Sequence, residues 1–287
     1  MINYVNYSDH NFSTQQNYAA ISAITFGKVK SLTLYGPPDI DFTFRVSNKR
    51  ILDENRGAGL WLWKPYFIFR KLKELKNNEY LLYSDSGAVL LKPVTLLLEE
   101  LELTGQDLAA FELPLIEKQW TKQVLLDNLN CNSPKFADSN QRLSSFHFIK
   151  KTSWSMDFYK EYLDHCCVWE NISDDYCGVV NSVNFIDHRH DQSIFSLLTK
   201  IAGLKSMKDP SQLGEHPTGY AGQEIENLEL GKLYTLPNGR LFRANNFPQK
   251  YSKIFFHSRQ RNPLYSYTRY NFARLLKHLK IYRGIIR

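Results

Sequence analysis

Four short stretches of the chain bring together side chains that can hold a charged ligand or move a proton. In Tyr80-Leu81-Leu82-Tyr83-Ser84-Asp85-Ser86-Gly87 an apolar run ends on a carboxylate, Asp85. A carboxylate at the carboxyl end of a strand is where open α/β sheets place their ligands. Asp and Gly also suit an ordinary turn, so that reading stands beside the first. The second stretch, His188-Arg189-His190-Asp191-Gln192, crowds ionisable groups before an apolar helical run. If extended, His188 and His190 share a face and offer a pair of metal ligands; otherwise Asp191 caps a helix and its neighbours form a polar loop. In the third, Arg56 and Lys64 bracket a loop, Gly57-Ala58-Gly59-Leu60-Trp61-Leu62-Trp63, that enters a helix N-terminus, an arrangement suited to anions. Its plainer reading is a glycine loop with an aromatic core and Pro65 in the first helical turn. In the fourth, the apolar run Ile254 to Phe256 meets His257, with Arg259 and Arg261 just beyond.

These residues need elements to hold them. Residues 2–8 read as a first strand, and Ser13-Thr14-Gln15-Gln16 matches a capping box opening a helix over residues 15–26. A second strand, residues 31–36, is closed by Gly36-Pro37-Pro38. Residues 66–76 have helical spacing, residues 79–85 form the strand that delivers Asp85, and Pro93 opens a helix through residue 103. Residues 107–114 read as a strand, and residues 153–166 and 191–203 as helices, the latter with Ile194, Leu197, Leu198 and Ile201 on one face. Strands alternating with helices predict an α/β sheet covered on both faces. With no repeat and no low-complexity linker, the expectation is one domain over residues 1–263 and a basic helical appendage over residues 264–287.

Composition narrows the function classes. The chain has 287 residues, with 43% hydrophobic and 23% charged, ordinary values for a soluble globular protein. The net charge is +7, yet six basic residues and no acids lie between Leu264 and Arg287, accounting for all but one of those charges. A basicity confined to the tail argues against nucleic acid as a partner and for a local contact such as an anionic membrane surface. There Phe272, Leu275, Leu276, Leu279 and Ile286 follow helical spacing, with Arg274, Lys277 and Lys280 largely off that stripe. A helix packed on the domain with a solvated basic face is the other reading of the same pattern. Cys131, Cys166, Cys167 and Cys177 lack metal-site spacing and are expected to be reduced thiols. With no secretory signal and no membrane-length apolar run, the expected compartment is the cytoplasm, with peripheral contact at the inner face of its membrane.

Three strings in order, RGAGLWLWKPYFIFRKL, EYLLYSDSG and HRHDQSIFSLL, resemble bacterial glycosyltransferases that build lipopolysaccharide and capsule. EKQWTK and SSFHFIKKTSWSMDFYKEYLDHC resemble the same group, so the similarity spans roughly residues 50–205. The resemblance implies a GT-A, Rossmann-like sheet that binds a nucleotide sugar, with an Asp-x-Asp motif holding a divalent metal on the donor diphosphate. Here the motif reads Asp85-Ser86-Gly87, with glycine in place of the second acid, which leaves metal dependence open. Asp85 and the late His257 are the implied ligands of Mn²⁺ or Mg²⁺. Lys64, Arg56, Trp63, Arg259 and Arg261 are the implied donor or phosphate contacts. Asp191-Gln192 resembles the catalytic pair of the glycogenin-like and lipopolysaccharide galactosyltransferase group, which implies retention. His188, His190 and Lys122 are expected at the sugar or acceptor. The implied reaction moves galactose or glucose from a UDP-sugar to a glycan or glycolipid acceptor of lipopolysaccharide, O-antigen or capsule. Two other classes use similar groups: a metal-dependent nucleotidyltransferase or sugar-phosphate hydrolase, and a non-catalytic carbohydrate- or lipid-binding protein.

Overall fold

A computed structural model describes residues 1–258 and 262–278 of the chain. Its eleven strands among those residues are β1 (Ile2–Tyr7), β2 (Ser31–Tyr35), β3 (Tyr80–Ser84), β4 (Ala88–Leu90), β5 (Ala110–Ile116), β6 (Asn140–Arg142), β7 (Phe146–Lys150), β8 (Ser206–Lys208), β9 (Tyr234–Thr235), β10 (Leu241–Phe242) and β11 (Phe255–His257). The central sheet has the order β2-β1-β3-β7. β1 runs parallel to both β2 and β3, whereas β3 and β7 are antiparallel. β5 carries β6 and β10 as antiparallel partners and β8 as a parallel one, and β4 pairs with β11. The result is a mixed α/β sheet flanked by helices, as the alternation of patterns predicts.

Period-two alternation divides the core. Val5, Tyr7, Leu81 and Tyr83 face one apolar cluster, with helices Trp63–Glu74, Ser153–Cys166 and His190–Ile201 packed over it. Ile2, Tyr4 and Leu82 face the other, covered by helices Ser13–Thr25 and Thr95–Thr104. Successive strand residues point to opposite faces, so both faces of β1 and β3 must be apolar. The chain leaves β1 toward β2 on one side and returns as β3 on the other. That reversal opens a crevice at the carboxyl ends of β1 and β3, the place where such sheets bind ligands. Ser86 closes its floor by donating its hydroxyl to Asn6 Oδ1 at 2.8 Å, and Asn6 Nδ2 donates to the Ser84 carbonyl at 2.6 Å.

Several expectations change in detail. The capping box at Ser13 does not form. Helix Ser13–Thr25 follows directly on a short 3₁₀ turn capped by Asp9, and Gln16 instead donates to the Tyr35 carbonyl at 2.9 Å. Tertiary pairing to β2 wins over a local cap. On helix His190–Ile201 the residues Ile194, Leu197 and Leu198 are buried, but Ile201 at the last position is 48% exposed. Asp191 is not the N-cap; it sits within the first helical turn. The C-terminal helix spans Pro263–His278, and Tyr267 and Tyr270 pack their rings against Phe256 of β11 with centroids 5.3 and 5.4 Å away. Phe272 is 60% exposed; the side chains of Arg274, Leu275, Leu276 and Lys277, and all of Leu279, Lys280, Arg283, Ile286 and Arg287, lie outside the described part of the structure. Among the described residues no helix is long and apolar enough to cross a membrane.

Candidate active site

The site is assembled from a turn that few sequences adopt. Residues 57–61 are all left-handed, with φ of 62° at Gly57, 51° at Ala58, 100° at Gly59, 52° at Leu60 and 61° at Trp61. Each non-glycine residue held there costs about 1–2 kcal/mol, so the surroundings must enforce the conformation. The two glycines are required for space as well. A Cβ at Gly57 would lie 2.3 Å from the Trp61 ring, and one at Gly59 would lie 2.9 Å from Leu52 Cα. The turn feeds helix Trp63–Glu74, whose first residues reach the crevice. Trp63 stacks on Tyr7 at the end of β1, centroids 4.0 Å apart, and its indole N–H donates to the Gly57 carbonyl at 2.9 Å.

Lys64 follows and is buried at the centre of the site. Its ammonium lies 2.8 Å from Asp191 Oδ2 and 3.5 Å from Asp85 Oδ1, and it donates to the Ser144 carbonyl at 3.0 Å. Burial alone would lower the lysine's pKa, but the Asp191 and Asp85 charges outweigh it and hold the pKa above the ordinary value. Asp191 Oδ2 also accepts from Ser144 Oγ at 2.8 Å and from the Tyr162 hydroxyl at 3.1 Å. As a carboxylate in a first helical turn it is favoured by the helix dipole too. Asp85 Oδ1 accepts from the Tyr83 hydroxyl at 2.7 Å. Burial first, then the neighbouring carboxylates, push both tyrosines well above their usual range, so each stays a donor. The side chains of Lys64 and Asp191 are each 4% exposed, whereas Asp85 is 25% exposed. One ammonium facing two carboxylates leaves a negative site whose open member is Asp85.

Asp85 stands beside β11. His257 pairs with Ala88, and Ser258 N–H donates to the Gly87 carbonyl at 2.7 Å. A Cβ at Gly87 would lie 2.8 Å from the Ser258 carbonyl oxygen and 3.5 Å from His257 Cδ2. The glycine in the motif therefore has a physical cause: β11 occupies the volume a second acid needs. Among the described residues no group of three His, Cys, Asp or Glu side chains is arranged to hold a metal ion. Asp85 and His257, on adjoining strand ends, offer one carboxylate and one imidazole. That donor set suits Mn²⁺ or Mg²⁺ only if a ligand such as a diphosphate supplies further oxygens.

The other expected residues fall in different places. Gln192 is next to the hub: its Oε1 accepts from Ser144 N–H at 3.3 Å and its amide donates to Gln141 Oε1 at 2.9 Å. Arg56 is committed to carboxylates, at 2.9 Å from Asp174 Oδ2 and 2.7 Å from Asp187 Oδ2. Lys64 is equally spent, so neither presents an unpaired charge to a phosphate. His188 is buried with Nε2 2.8 Å from the Asn171 carbonyl and Nδ1 accepting from Lys122 N–H at 3.4 Å. His190 is buried as well, with Nδ1 2.7 Å from the Ile172 carbonyl. Burial lowers both imidazoles, His188 well below its usual range. Lys122 donates to the Asp175 carbonyl at 3.1 Å. Lys122, His188 and His190 Nδ1 thus bond to the backbone of residues 171–175, while the buried His190 Nε2 has no hydrogen-bond partner among the described residues and lies 3.6 Å from Asp174 Oδ2. Arg259 and Arg261 lie outside the described residues.

Four contributors were not singled out from sequence: Tyr83, Ser144, His147 and Tyr162. His147 lies beneath the hub with Nε2 3.1 Å from Ser144 Oγ and Nδ1 2.7 Å from the Tyr159 hydroxyl. Burial, then the Lys64 charge, push its pKa well below the usual value and keep the ring neutral. The sequence signal that might have found it is a polar residue inside the apolar strand Phe146-His147-Phe148-Ile149, with tyrosines three apart at Tyr159 and Tyr162 on the helix that follows.

No protein-family model matches the chain, and no curated protein sequence matches it. Its chain trace is similar to that of solved glycosyltransferases. The galactosyltransferase LgtC, in complex with donor and acceptor sugar analogs, is 15% identical with a TM-score of 0.47 over 90% of this chain and 87% of that one. The bifunctional glycosyltransferase WbbM is 11% identical with a TM-score of 0.41, over 69% of this chain and 37% of WbbM. Glycosyltransferase GlyE from Streptococcus pneumoniae is 16% identical with a TM-score of 0.42, over 89% of this chain and 53% of GlyE.

Proposed function

We propose that the protein is a retaining glycosyltransferase that moves a hexose, galactose or glucose, from a UDP-sugar to a bacterial surface-glycan acceptor. The observation that carries this reading is Asp85, a half-open carboxylate at the end of β3, fixed over the buried Lys64–Asp191 pair. A donor diphosphate is anionic and is repelled by Asp85 unless positive charge lies between them, and among the described residues Lys64 and Arg56 already have carboxylate partners. Asp85 and His257 would hold Mn²⁺ or Mg²⁺ there, and a bound cation supplies charge that stabilises the leaving diphosphate.

The chain's own residues set the rest. Lys64 fixes Asp85 and Asp191 relative to each other, so the metal corner and the sugar corner move as one unit. Asp191 Oδ2 already receives hydrogen bonds from Ser144 and Tyr162 and the Lys64 ion pair. Held in this way, the Asp191 carboxylate supplies a fixed negative charge for an electron-poor anomeric carbon. Retention is supported by the likeness of Asp191-Gln192 to the pair of the retaining galactosyltransferase group. Gln192, tethered to Ser144 and Gln141, presents its amide at the same helix start. Transfer to a lipid-linked acceptor would put the reaction at the inner face of the cytoplasmic membrane, where the basic charge of residues 264–287 suits an anionic surface.

A thermal-shift series with nucleoside diphosphates tests the reading. UDP with Mn²⁺ raises the melting temperature, because a ligand at about 100 times its Kd adds about 2.7 kcal/mol to the native state. If no nucleoside diphosphate shifts the melt with either metal, the donor reading is wrong. Proton NMR of the product then decides stereochemistry: an anomeric configuration opposite to the donor's overturns retention.

A further inference from the structure

A second cavity lies along the same sheet edge as Asp85 and is not used by the donor chemistry above. Ala109 N–H donates to the Phe148 carbonyl and Leu108 bridges Ile149 in antiparallel fashion, so β5 runs in the direction of β3. β8 is parallel to β5, which brings the carboxyl ends of all three strands to one edge. At that edge β5, β8 and the residues after β10 enclose about 240 Å³, walled by Glu112, Asp209, Tyr220, Asn245 and Phe247. The volume is below the roughly 300–1,000 Å³ of sites for drug-sized ligands and is on the scale of one sugar ring.

The walls are built, and they adjoin the metal corner. Asp209 is buried and accepts from Ser211 N–H at 2.8 Å and from the Tyr220 hydroxyl at 2.8 Å, which fixes the Tyr220 ring as one side. Asn245 Nδ2 donates to Glu112 Oε1 at 2.6 Å, and among the described residues the Asn245 amide oxygen accepts no hydrogen bond. Gln212, three residues beyond Asp209, is bonded in both directions to the backbone of His257, at 2.9 and 2.8 Å. Cavity and donor crevice are thus joined through one short rigid segment.

The composition of the walls selects a ligand. A pyranose presents hydroxyls that both donate and accept, which a carboxylate with an amide can match, and an apolar face that Tyr220 and Phe247 can cover. Three acids, Glu112, Asp209 and Glu215, line the cavity against one base, Lys208, and Glu215 is itself neutralised by Lys253 at 3.1 Å. An acidic sugar entering here would bring its charge against Glu112 and Asp209 in a partly desolvated space, where like charges repel strongly. We propose that this cavity is the acceptor subsite and that it takes a neutral pyranose while rejecting uronate, sialate and phosphorylated sugars. This rests on the glycosyl-transfer reading given above.

Saturation-transfer NMR on the full chain tests it without requiring turnover, using methyl galactosides and glucosides beside methyl glucuronide. The neutral glycosides receive saturation and the glucuronide does not. Asn245→Ala weakens neutral-glycoside binding by about tenfold, the loss of one half-buried hydrogen-bonding partner. Glu112→Gln, which keeps the shape and removes one of the two charges, brings the glucuronide measurably into the site, with Asp209 keeping part of the discrimination. Binding of the glucuronide by the unmodified protein as well as of the neutral sugars overturns the selectivity, and neutral-sugar binding unchanged by Asn245→Ala overturns the location. A protein that is stabilised by UDP but saturates no glycoside refutes the subsite and leaves the donor reading standing. Glycoside binding without any UDP effect refutes the donor reading instead.

Discussion

Replacing Lys64 by methionine removes the one positive charge shared by Asp85 and Asp191 while keeping most of the side-chain volume. In the native protein the ammonium sits 2.8 Å from Asp191, 3.5 Å from Asp85 and 3.0 Å from the Ser144 carbonyl, with 4% of the side chain exposed. Removing one member of a buried pair leaves the other as an uncompensated charge and costs about 3–5 kcal/mol. A domain is stable by only about 5–15 kcal/mol, so Lys64→Met should lose a large share of its stability and all transfer. The deficit has a pH signature. With no ammonium, a carboxyl of the pair is forced above its unfolded pKa, so the folded form binds the extra proton and the deficit grows as pH rises. Urea unfolding followed by tryptophan fluorescence, at about pH 5 and about pH 8, measures both. Adding Asp191→Asn to Lys64→Met removes the stranded charge and should recover at least half the loss. A deficit under about 1 kcal/mol, with no pH dependence and no recovery in the double variant, would refute the reasoning that these groups are one electrostatic unit.

Other consequences are independent of that one. Lys64 has its folded pKa raised above the ordinary 10.5, so the stability it confers is complete below about pH 10.5 and falls as pH rises through the raised value; alkaline melts of the native protein should show a loss that Lys64→Met lacks. His147, His188 and His190 are held neutral with pKa values below 6.5, so the unfolded chain takes up protons first and stability falls on acidification below that value. Each contributes up to about 1.4 kcal/mol per pH unit, and unfolding free energies equal at about pH 7 and about pH 5.5 would contradict the assignment. Gly87→Asp recreates an Asp-x-Asp sequence, yet its Cβ meets the Ser258 carbonyl at 2.8 Å; it should destabilise by about 1–3 kcal/mol without tightening Mn²⁺ binding in calorimetry. Tighter metal binding in a stable Gly87→Asp protein would show that β11 does not exclude a second acid.

Much of this was legible in the sequence because the signals are local. The continuous apolar run through Tyr80–Tyr83 announces β3 as a buried strand, and a carboxylate following it is placed by the strand itself. Asp191 and Gln192 occupy the site because they open an amphipathic helix, and Lys64 because it opens another. What was hidden depends on distant neighbours. Ser144 and Tyr162 gain their meaning only where Asp191 arrives, 47 and 29 residues further along. The crowded histidines suggested metal or sugar contacts, but carbonyls at 171 and 172 claim their rings, a pairing no spacing rule encodes. The glycines of the 57–61 turn hint at left-handed backbone; Ala58, Leu60 and Trp61 share it only because packing imposes it. The missing second acid of the motif is explained by β11, which lies about 170 residues downstream.

In the proposed function Asp85 and Asp191 form the donor site of a UDP-hexose transferase. UDP release from UDP-galactose and UDP-glucose, measured with Mn²⁺ on the native chain and on Asp85→Asn and Asp191→Asn, tests it most directly. Turnover is expected of the native protein, with most of it lost in both variants at saturating donor and a milder loss in His257→Ala. No release from either nucleotide sugar by the native protein, or full activity in Asp85→Asn, would contradict it.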